Sequence, residues 1–134
     1  MIIKTTPDRE KAESILKMVN TTLEMVASLD SKKFPSHVTK EYYDIMRELL
    51  FIILLLDGYK TVGEGAHKEL IEYFVNPVSN LSEEDLTLID NLRIIRNRIS
   101  YDGFFVTQDY LERNKGTFLS IINKLKKMVG SKLR

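Results

Sequence analysis

The stretch LLFIILLL, residues 49–56, decides what fold this chain can adopt. It is apolar on every side of a helix, and charged residues flank it closely, with Arg47 and Glu48 before it and Asp57 after it. Eight residues are too few to cross a membrane, which takes about 20. A helix that is apolar all round must be buried all round. We therefore predict a central helix over about 39–57. Because a small domain offers little cover, we expect its outer side to meet a second copy of the chain.

Start signals and apolar spacing predict four further helices around this one. Thr6 and Pro7 suit the beginning of a first helix, since a hydroxyl can cap it and proline fits its first position. Ser82 and Asp85 have capping-box spacing at the start of another. The predicted bounds are residues 7–29, 66–75, 83–102 and 107–129, with Thr107 capping the last helix.

Glycine and proline mark the predicted ends of these helices. The end signals are Gly58, Asn76-Pro77, Gly103 and Gly130. No segment shows sustained period-two alternation, so we expect no sheet. The sequence therefore predicts an all-α fold, an antiparallel up-and-down bundle of four main helices plus a short one, in a single domain over residues 1–134.

Composition excludes several classes of protein. Twenty basic and nineteen acidic residues leave a net charge of +1, so no global field draws the chain to nucleic acid or to a membrane. There is no cysteine, which excludes disulfides and thiolate chemistry. The N-terminus MIIKTTPDRE turns polar after three residues, so we expect no signal peptide and a cytoplasmic location. With two histidines and no cysteine, we expect neither a metal site nor a cofactor.

The predicted helix over 83–102 carries two different faces. At about 100° per residue, apolar and polar side chains separate around its axis. The apolar face holds Leu88, Leu92, Ile95 and Ile99, and the polar face holds Arg93, Arg96, Asn97 and Ser100. We expect the polar stripe to stand apart from the core. From periodicity alone, it is either a solvated basic face, as charge runs on helices usually are, or a binding site.

The end of this helix, RNRISYDG at residues 96–103, resembles the signature of the HEPN superfamily (higher eukaryotes and prokaryotes nucleotide-binding domain). That signature is an arginine, usually followed by asparagine or another polar residue, with a histidine four to six residues beyond. Arg96 and Asn97 match its start, and Tyr101 stands at the histidine position. The segments YYDIMRELLFIILLLDGYKTVGEGAHKELIEYF, residues 42–74, and LIDNLRIIRNRISYDG, residues 88–103, are similar to the family's second to fourth helices.

The resemblance implies a helical bundle that pairs as a symmetric dimer. Many family members are metal-independent ribonucleases whose motifs face each other across the dimer cleft. Often they are toxins encoded beside a small nucleotidyltransferase that acts as the antitoxin. Others have lost activity and serve as binding or assembly modules.

The motif residues suit this chemistry only in part. Arg96 is always charged and can grip two phosphate oxygens with its fork. Asn97 can orient that arginine or contact the RNA, and Arg93 adds positive potential. Tyr101 departs from the family pattern, because tyrosine titrates near 10 where histidine titrates near 6.5. A neutral tyrosine donates a proton or a hydrogen bond but is a poor base at neutral pH.

Three other residues are candidates to support the site. Asp44 and Glu48 lie one turn apart on the central helix, and either carboxylate can pair with Arg96 across the bundle. The alternative is an ordinary surface ion pair. His67, near the start of the short helix, can replace the missing base. The alternative for His67 is a packing or hydrogen-bonding histidine.

Three functions remain open from the sequence. The first is a HEPN-like ribonuclease of a toxin–antitoxin or defence pair. The second is a degenerate module that binds RNA, a nucleotide or a nucleotidyltransferase partner. The third is a structural homodimer with no ligand site. The sequence names no RNA target and no biological trigger.

Overall fold

A computed structural model describes residues 1–75 and 80–134. These residues contain five helices and two three-residue strands. The elements are β1 (Ile2–Lys4), α1 (Arg9–Ser28), α2 (Pro35–Leu56), β2 (Tyr59–Thr61), α3 (Ala66–Tyr73), α4 (Glu83–Asp102) and α5 (Gln108–Leu133). The all-α class is confirmed. The helix end predicted at Asn76-Pro77 lies outside the described residues.

The central element is α2, which packs against α1, α3, α4, α5 and β2. Six of the residues in its 49–56 stretch are buried, and only Phe51 and Leu56 are partly exposed. The buried helix is confirmed, but its own chain supplies the cover on nearly every side. The apolar stretch therefore gives no reason to place a second copy against α2.

Local capping explains where the helices begin and end. Ser82 and Asp85 form both hydrogen bonds of a capping box at the start of α4, as predicted. Thr107 caps α5, and Gly103 ends α4 with a φ of 64°, which a residue with a side chain rarely adopts. The predicted Thr6 cap is wrong, because the carboxylate of Asp8 accepts from Lys11 and begins α1 later.

Two helix boundaries differ from the predicted ones, the first because of a proline and the second because of a tertiary contact. α2 begins at Pro35 rather than Thr39, since proline fits the first turn of a helix. α5 runs past Gly130, the predicted stop, to Leu133. Its last turn is held by an ion pair of 2.6 Å between Lys132 and Asp57, which offsets the weak helix propensity of glycine.

The two strands were not predicted. β1 pairs antiparallel with β2, with Ile3 opposite Lys60. The terminal ammonium group of Met1 also pairs with Glu69, at the start of α3. Three-residue strands are too short to show the period-two pattern that identifies a strand in sequence. No helix in residues 1–75 or 80–134 is long and apolar enough to cross a membrane.

Candidate functional site

The face that α4 turns toward α2 is apolar at its start and basic at its end. Leu86, Ile89 and Leu92 are buried. Arg93 and Arg96 continue the same face, and their side chains are 18% and 17% exposed. The prediction that the polar stripe stands apart from the core is therefore wrong for Arg93 and Arg96, while Ser100 is exposed. Around an ideal helix, Ile89 lies between the two arginines in direction, so burying it draws both toward α2.

An ion pair across two helices fixes Arg96. Its Nε lies 3.3 Å from Oδ1 of Asp44, whose side chain is 22% exposed. The sequence left Asp44 and Glu48 as alternatives, and the structure pairs Arg96 with Asp44. Nη1 of Arg96 also donates to the amide oxygen of Asn97 at 3.4 Å. Asn97 thus orients the guanidinium, one of the two roles predicted for it.

Two more arginine–acid pairs lie beside this one. Arg47 donates to Glu48 at 3.1 Å and lies 3.9 Å from Asp44, so Asp44 is shared by two arginines. Arg93 donates to Asp90 at 2.9 Å. We name this set the arginine cluster; its members are Arg47, Arg93, Arg96, Asp44, Glu48 and Asp90. Because its three positive and three negative charges balance, its affinity for an anion depends on geometry more than on net charge.

The shared ion pair is not a set of well-aligned hydrogen bonds. Nε of Arg96, Nε of Arg47 and Oδ1 of Asp44 are buried, yet none makes a hydrogen bond within the described part of the chain. The 3.3 Å contact between Nε of Arg96 and Oδ1 of Asp44 is therefore an interaction of charges rather than a hydrogen bond. Buried polar atoms usually have hydrogen-bond partners. The guanidinium groups thus retain donor capacity.

Tyr43 and His67 border the arginine cluster from α2 and α3. Their rings lie 6.2 Å apart. Burial raises the pKa of Tyr43 to about 12, so its hydroxyl stays protonated. Burial also lowers the pKa of His67 below 6.5, and the positive charges of Arg47 and Arg96 lower it further. His67 is therefore neutral near pH 7, the state that a proton acceptor needs.

The lowered pKa of His67 predicts how stability changes with pH. Well above pH 6.5 the side chain is neutral in both the folded and the unfolded chain. As pH falls below 6.5, the unfolded chain takes up a proton that the folded chain resists, so the free energy of unfolding decreases. In His67→Gln this part of the decrease is expected to vanish. Urea unfolding measures the free energy of unfolding at several pH values between 7.5 and 5, in steps of roughly half a pH unit around the ordinary pKa of histidine.

His37→Gln is the matched control for that measurement. His37 lies in the first turn of α2, against the ring of Phe34 and outside the arginine cluster. The change in pH dependence that this variant causes is the background against which the change in His67→Gln is compared. Equal slopes in His67→Gln and the wild type would contradict the placement of His67 against the cluster's charges.

Tyr101 is not part of the arginine cluster. It lies in the last turn of α4 with 76% of its surface exposed. Five residues place it about 140° around the helix from Arg96, so the two side chains leave α4 in different directions. Within one chain, the candidate catalytic residues Arg96 and Asn97 are brought together and Tyr101 is separate from them.

A groove separates α4 from α5, and no member of the arginine cluster lines it. It has a volume of about 580 Å³ and includes Leu88, Ile95, Tyr110 and Phe118 among its lining residues. Leu88, Ile95 and Ile99, which the sequence placed in the core, are only partly buried. The chain's own α5 does not close over this face of α4.

The described residues offer little for a metal ion. In residues 1–75 and 80–134, no three histidine, cysteine, aspartate or glutamate side chains are arranged to hold one. The cluster has three guanidinium groups, and these bind anions rather than cations. What the cluster can hold is a phosphate or carboxylate.

Sequence reasoning missed three members of the site's surroundings. Tyr43 precedes Asp44 inside the predicted central helix, and in the sequence Arg47 is only one of the charges that flank the apolar stretch. Asp90 is three residues before Arg93, a spacing at which helical side chains meet. That spacing is a signal that could have identified the pair.

Comparison of the chain with known proteins identifies no related protein. No protein-family model, no curated protein and no solved structure matches the chain. The resemblance to the HEPN superfamily therefore stays a prediction based on the quoted residues.

Proposed function

We propose that the protein is a HEPN-like, cytoplasmic protein that acts on RNA by holding a backbone phosphate at the arginine cluster. The observation that carries this proposal is the Asp44–Arg96 pair, which joins α2 to α4 and fixes the motif arginine. Surface arginines serving only as a solvated face would not be 17% exposed and paired across two helices. The resemblance of residues 96–103 to the HEPN signature supports RNA as the ligand.

The arginines suit a phosphate better than another anion because of their shape. A guanidinium presents five donors in a planar fork that matches two phosphate oxygens. In Arg96, Nε and Nη1 face Asp44 and Asn97, and Nη2 makes no hydrogen bond to the described residues. A phosphate oxygen can take that donor while Asp44 keeps the side chain oriented.

Metal-independent cleavage is the second candidate, and the state of His67 favours it. The 2′-hydroxyl would lose its proton to a base and attack phosphorus, and the bond to the 5′-oxygen would break as that oxygen takes a proton from water. The products are a 2′,3′-cyclic phosphate and a 5′-hydroxyl. His67, with its lowered pKa, replaces Tyr101 as the base in this mechanism. Arg96 stabilises the charge on the phosphorane.

The partner proposed for the α4–α5 groove is a second copy of this chain. Partly buried apolar side chains on α4 face this groove rather than a neighbouring helix, and the HEPN resemblance implies a symmetric dimer. In such a dimer two arginine clusters would act on one RNA.

Ile95→Glu is expected to shift the protein from dimer to monomer. A charge in an apolar contact costs several kcal/mol of association free energy because it must lose its water. Analytical ultracentrifugation measures the change as a drop from twice the 15.6 kDa chain mass to that mass. Ile94→Glu is the matched control, because Ile94 is 46% exposed and does not line the groove. A wild-type monomer at high concentration would contradict the dimer.

Labelled RNA tests the proposed function directly. The purified protein is incubated with RNA in EDTA, and both binding and cleavage are measured for the wild type and Arg96→Ala. Cleavage to 2′,3′-cyclic phosphate ends that depends on Arg96 supports the ribonuclease of a toxin–antitoxin or defence pair. Binding without cleavage supports the degenerate module, whose partner would be a nucleotidyltransferase. If the wild type neither binds nor cleaves RNA, the remaining candidate function is a structural dimer with no ligand site.

A further inference from the structure

Around an ideal helix, Asn97 lies between Arg93 and Tyr101 in direction, and beyond Asn97 the surface of α4 exposes large apolar side chains to water. Ile94 is 46% exposed, Tyr101 is 76% exposed and Phe105, in the loop after the helix, is 80% exposed. Arg98 lies between Ile94 and Tyr101, and residues three and four apart on a helix are neighbours on its surface. We name these four residues the aromatic stripe: Ile94, Arg98, Tyr101 and Phe105. Of these four residues, only Tyr101 is a candidate site residue in the sequence.

Phe105 points outward because the residues on both sides of it are anchored. Before it, the backbone N–H of Phe104 donates to the carbonyl oxygen of Arg98 at 3.1 Å. The guanidinium of Arg98 lies 4.0 Å from the centre of the Phe104 ring. After it, Val106 is buried, and its N–H donates to the hydroxyl of Ser36 at 2.9 Å. The exposure of Phe105 is thus built into the fold.

We propose that the aromatic stripe stacks unpaired bases of a single-stranded RNA whose backbone the arginine cluster holds. This inference rests on the proposed function and adds the class of RNA to it. Aromatic rings and arginine planes offer flat faces on which bases stack, at about 1–3 kcal/mol per base. Bases in a duplex are already stacked on each other, so they cannot reach the rings.

The composition of the stripe favours RNA over a protein partner. The two exposed rings flank a helix end that also carries Arg98, and Asp102 is the only acid among residues 94–105. An arginine near aromatic rings matches a polymer that alternates flat bases with negative phosphates. Because each base has an aromatic face, such a surface binds many sequences and does not need a deep pocket.

Fluorescence anisotropy with two labelled RNAs tests this proposal. The probes are an unstructured single strand of about ten nucleotides, enough for several stacked bases, and the same strand in a duplex, both in EDTA. We expect the wild type to prefer the single strand. Phe105→Ala and Tyr101→Ala are each expected to weaken single-strand binding by about five- to a hundred-fold, with duplex binding unchanged. Tyr101→Phe keeps the ring and should bind as the wild type does.

The outcomes separate this inference from the proposed function. Arg96→Ala is expected to weaken binding of both RNAs, since it removes a phosphate contact. Wild-type affinity for the single strand in both alanine variants would overturn the stacking proposal and leave the proposed function standing. No binding or cleavage of either RNA by the wild type would overturn both. Loss of self-association in Phe105→Ala with RNA binding intact would instead show that the stripe contacts a second copy.

Discussion

Arg96→Ala is expected to lower RNA affinity by about ten- to a hundred-fold, since a hydrogen bond to a charged group contributes about 1.5–3 kcal/mol. If the protein cleaves RNA, the rate should fall further, by about 10²–10³-fold, as when one donor to a developing charge is removed. The reason is geometric as well as electrostatic. Asp44 and Asn97 both contact Arg96, and no other arginine in residues 1–75 and 80–134 contacts both.

The fold is expected to survive this substitution. Without Arg96, the carboxylate of Asp44 still lies 3.9 Å from Arg47, so it keeps a positive neighbour. Arg96→Lys separates charge from shape, because lysine keeps the charge but lacks the fork. We expect its RNA affinity to lie between those of the wild type and Arg96→Ala. Circular dichroism and a thermal midpoint close to the wild type would show that the variants are folded.

Arg113→Ala is the matched control for charge. Arg113 pairs with Asp109 at 3.0 Å on α5 and is 70% exposed, so its removal subtracts the same charge from an unrelated surface. Affinity is expected to stay within about two-fold of the wild type, as for a weak exposed pair. Equal losses in Arg96→Ala and Arg113→Ala would show that RNA responds only to net charge, and the arginine cluster would not be its site.

Those parts of the fold that depend on local chemistry could be predicted from the sequence. The capping box at Ser82, the helix end at Gly103 and the burial of α2 all follow from residues within a few positions of each other. The two strands, by contrast, depend on the N-terminus meeting residues 59–61, about 57 positions away. No local pattern contains that contact. The extension of α5 past Gly130 depends likewise on Lys132 reaching Asp57.

In the candidate site, too, local features could be predicted from the sequence and contacts between distant residues could not. Periodicity placed Arg93, Arg96 and Asn97 on one side of α4 correctly. It predicted the core face only in part, because Leu88, Leu92, Ile95 and Ile99 form the more obvious apolar row and only Leu92 of that row is buried. The buried face consists of Leu86, Ile89 and Leu92, and the arginines extend it. Which row of a helix becomes buried depends on where the neighbouring helices lie, and α5 leaves the predicted row only partly covered.

Leu54→Ala is expected to lower the free energy of unfolding by about 2–5 kcal/mol, the usual cost of truncating a fully buried leucine. Leu54 has no exposed surface and lies in the apolar stretch of α2. The cost has two parts, the lost burial of the removed carbons and the cavity that remains. Since α2 packs against helices on several sides, the surrounding core cannot easily collapse into the gap. Urea unfolding followed by circular dichroism measures the loss.

Ile94→Ala is the control, because Ile94 is 46% exposed and its truncation leaves no enclosed cavity. We expect a change of about 0.5 kcal/mol or less, typical of surface substitutions. The difference between wild type and Leu54→Ala should also be the same across a roughly 50-fold range of protein concentration, since α2 is covered by its own chain. A loss that grows on dilution would mean that a second copy buries α2 after all. In that case the apolar stretch at residues 49–56, rather than the groove between α4 and α5, would be the place where two chains meet.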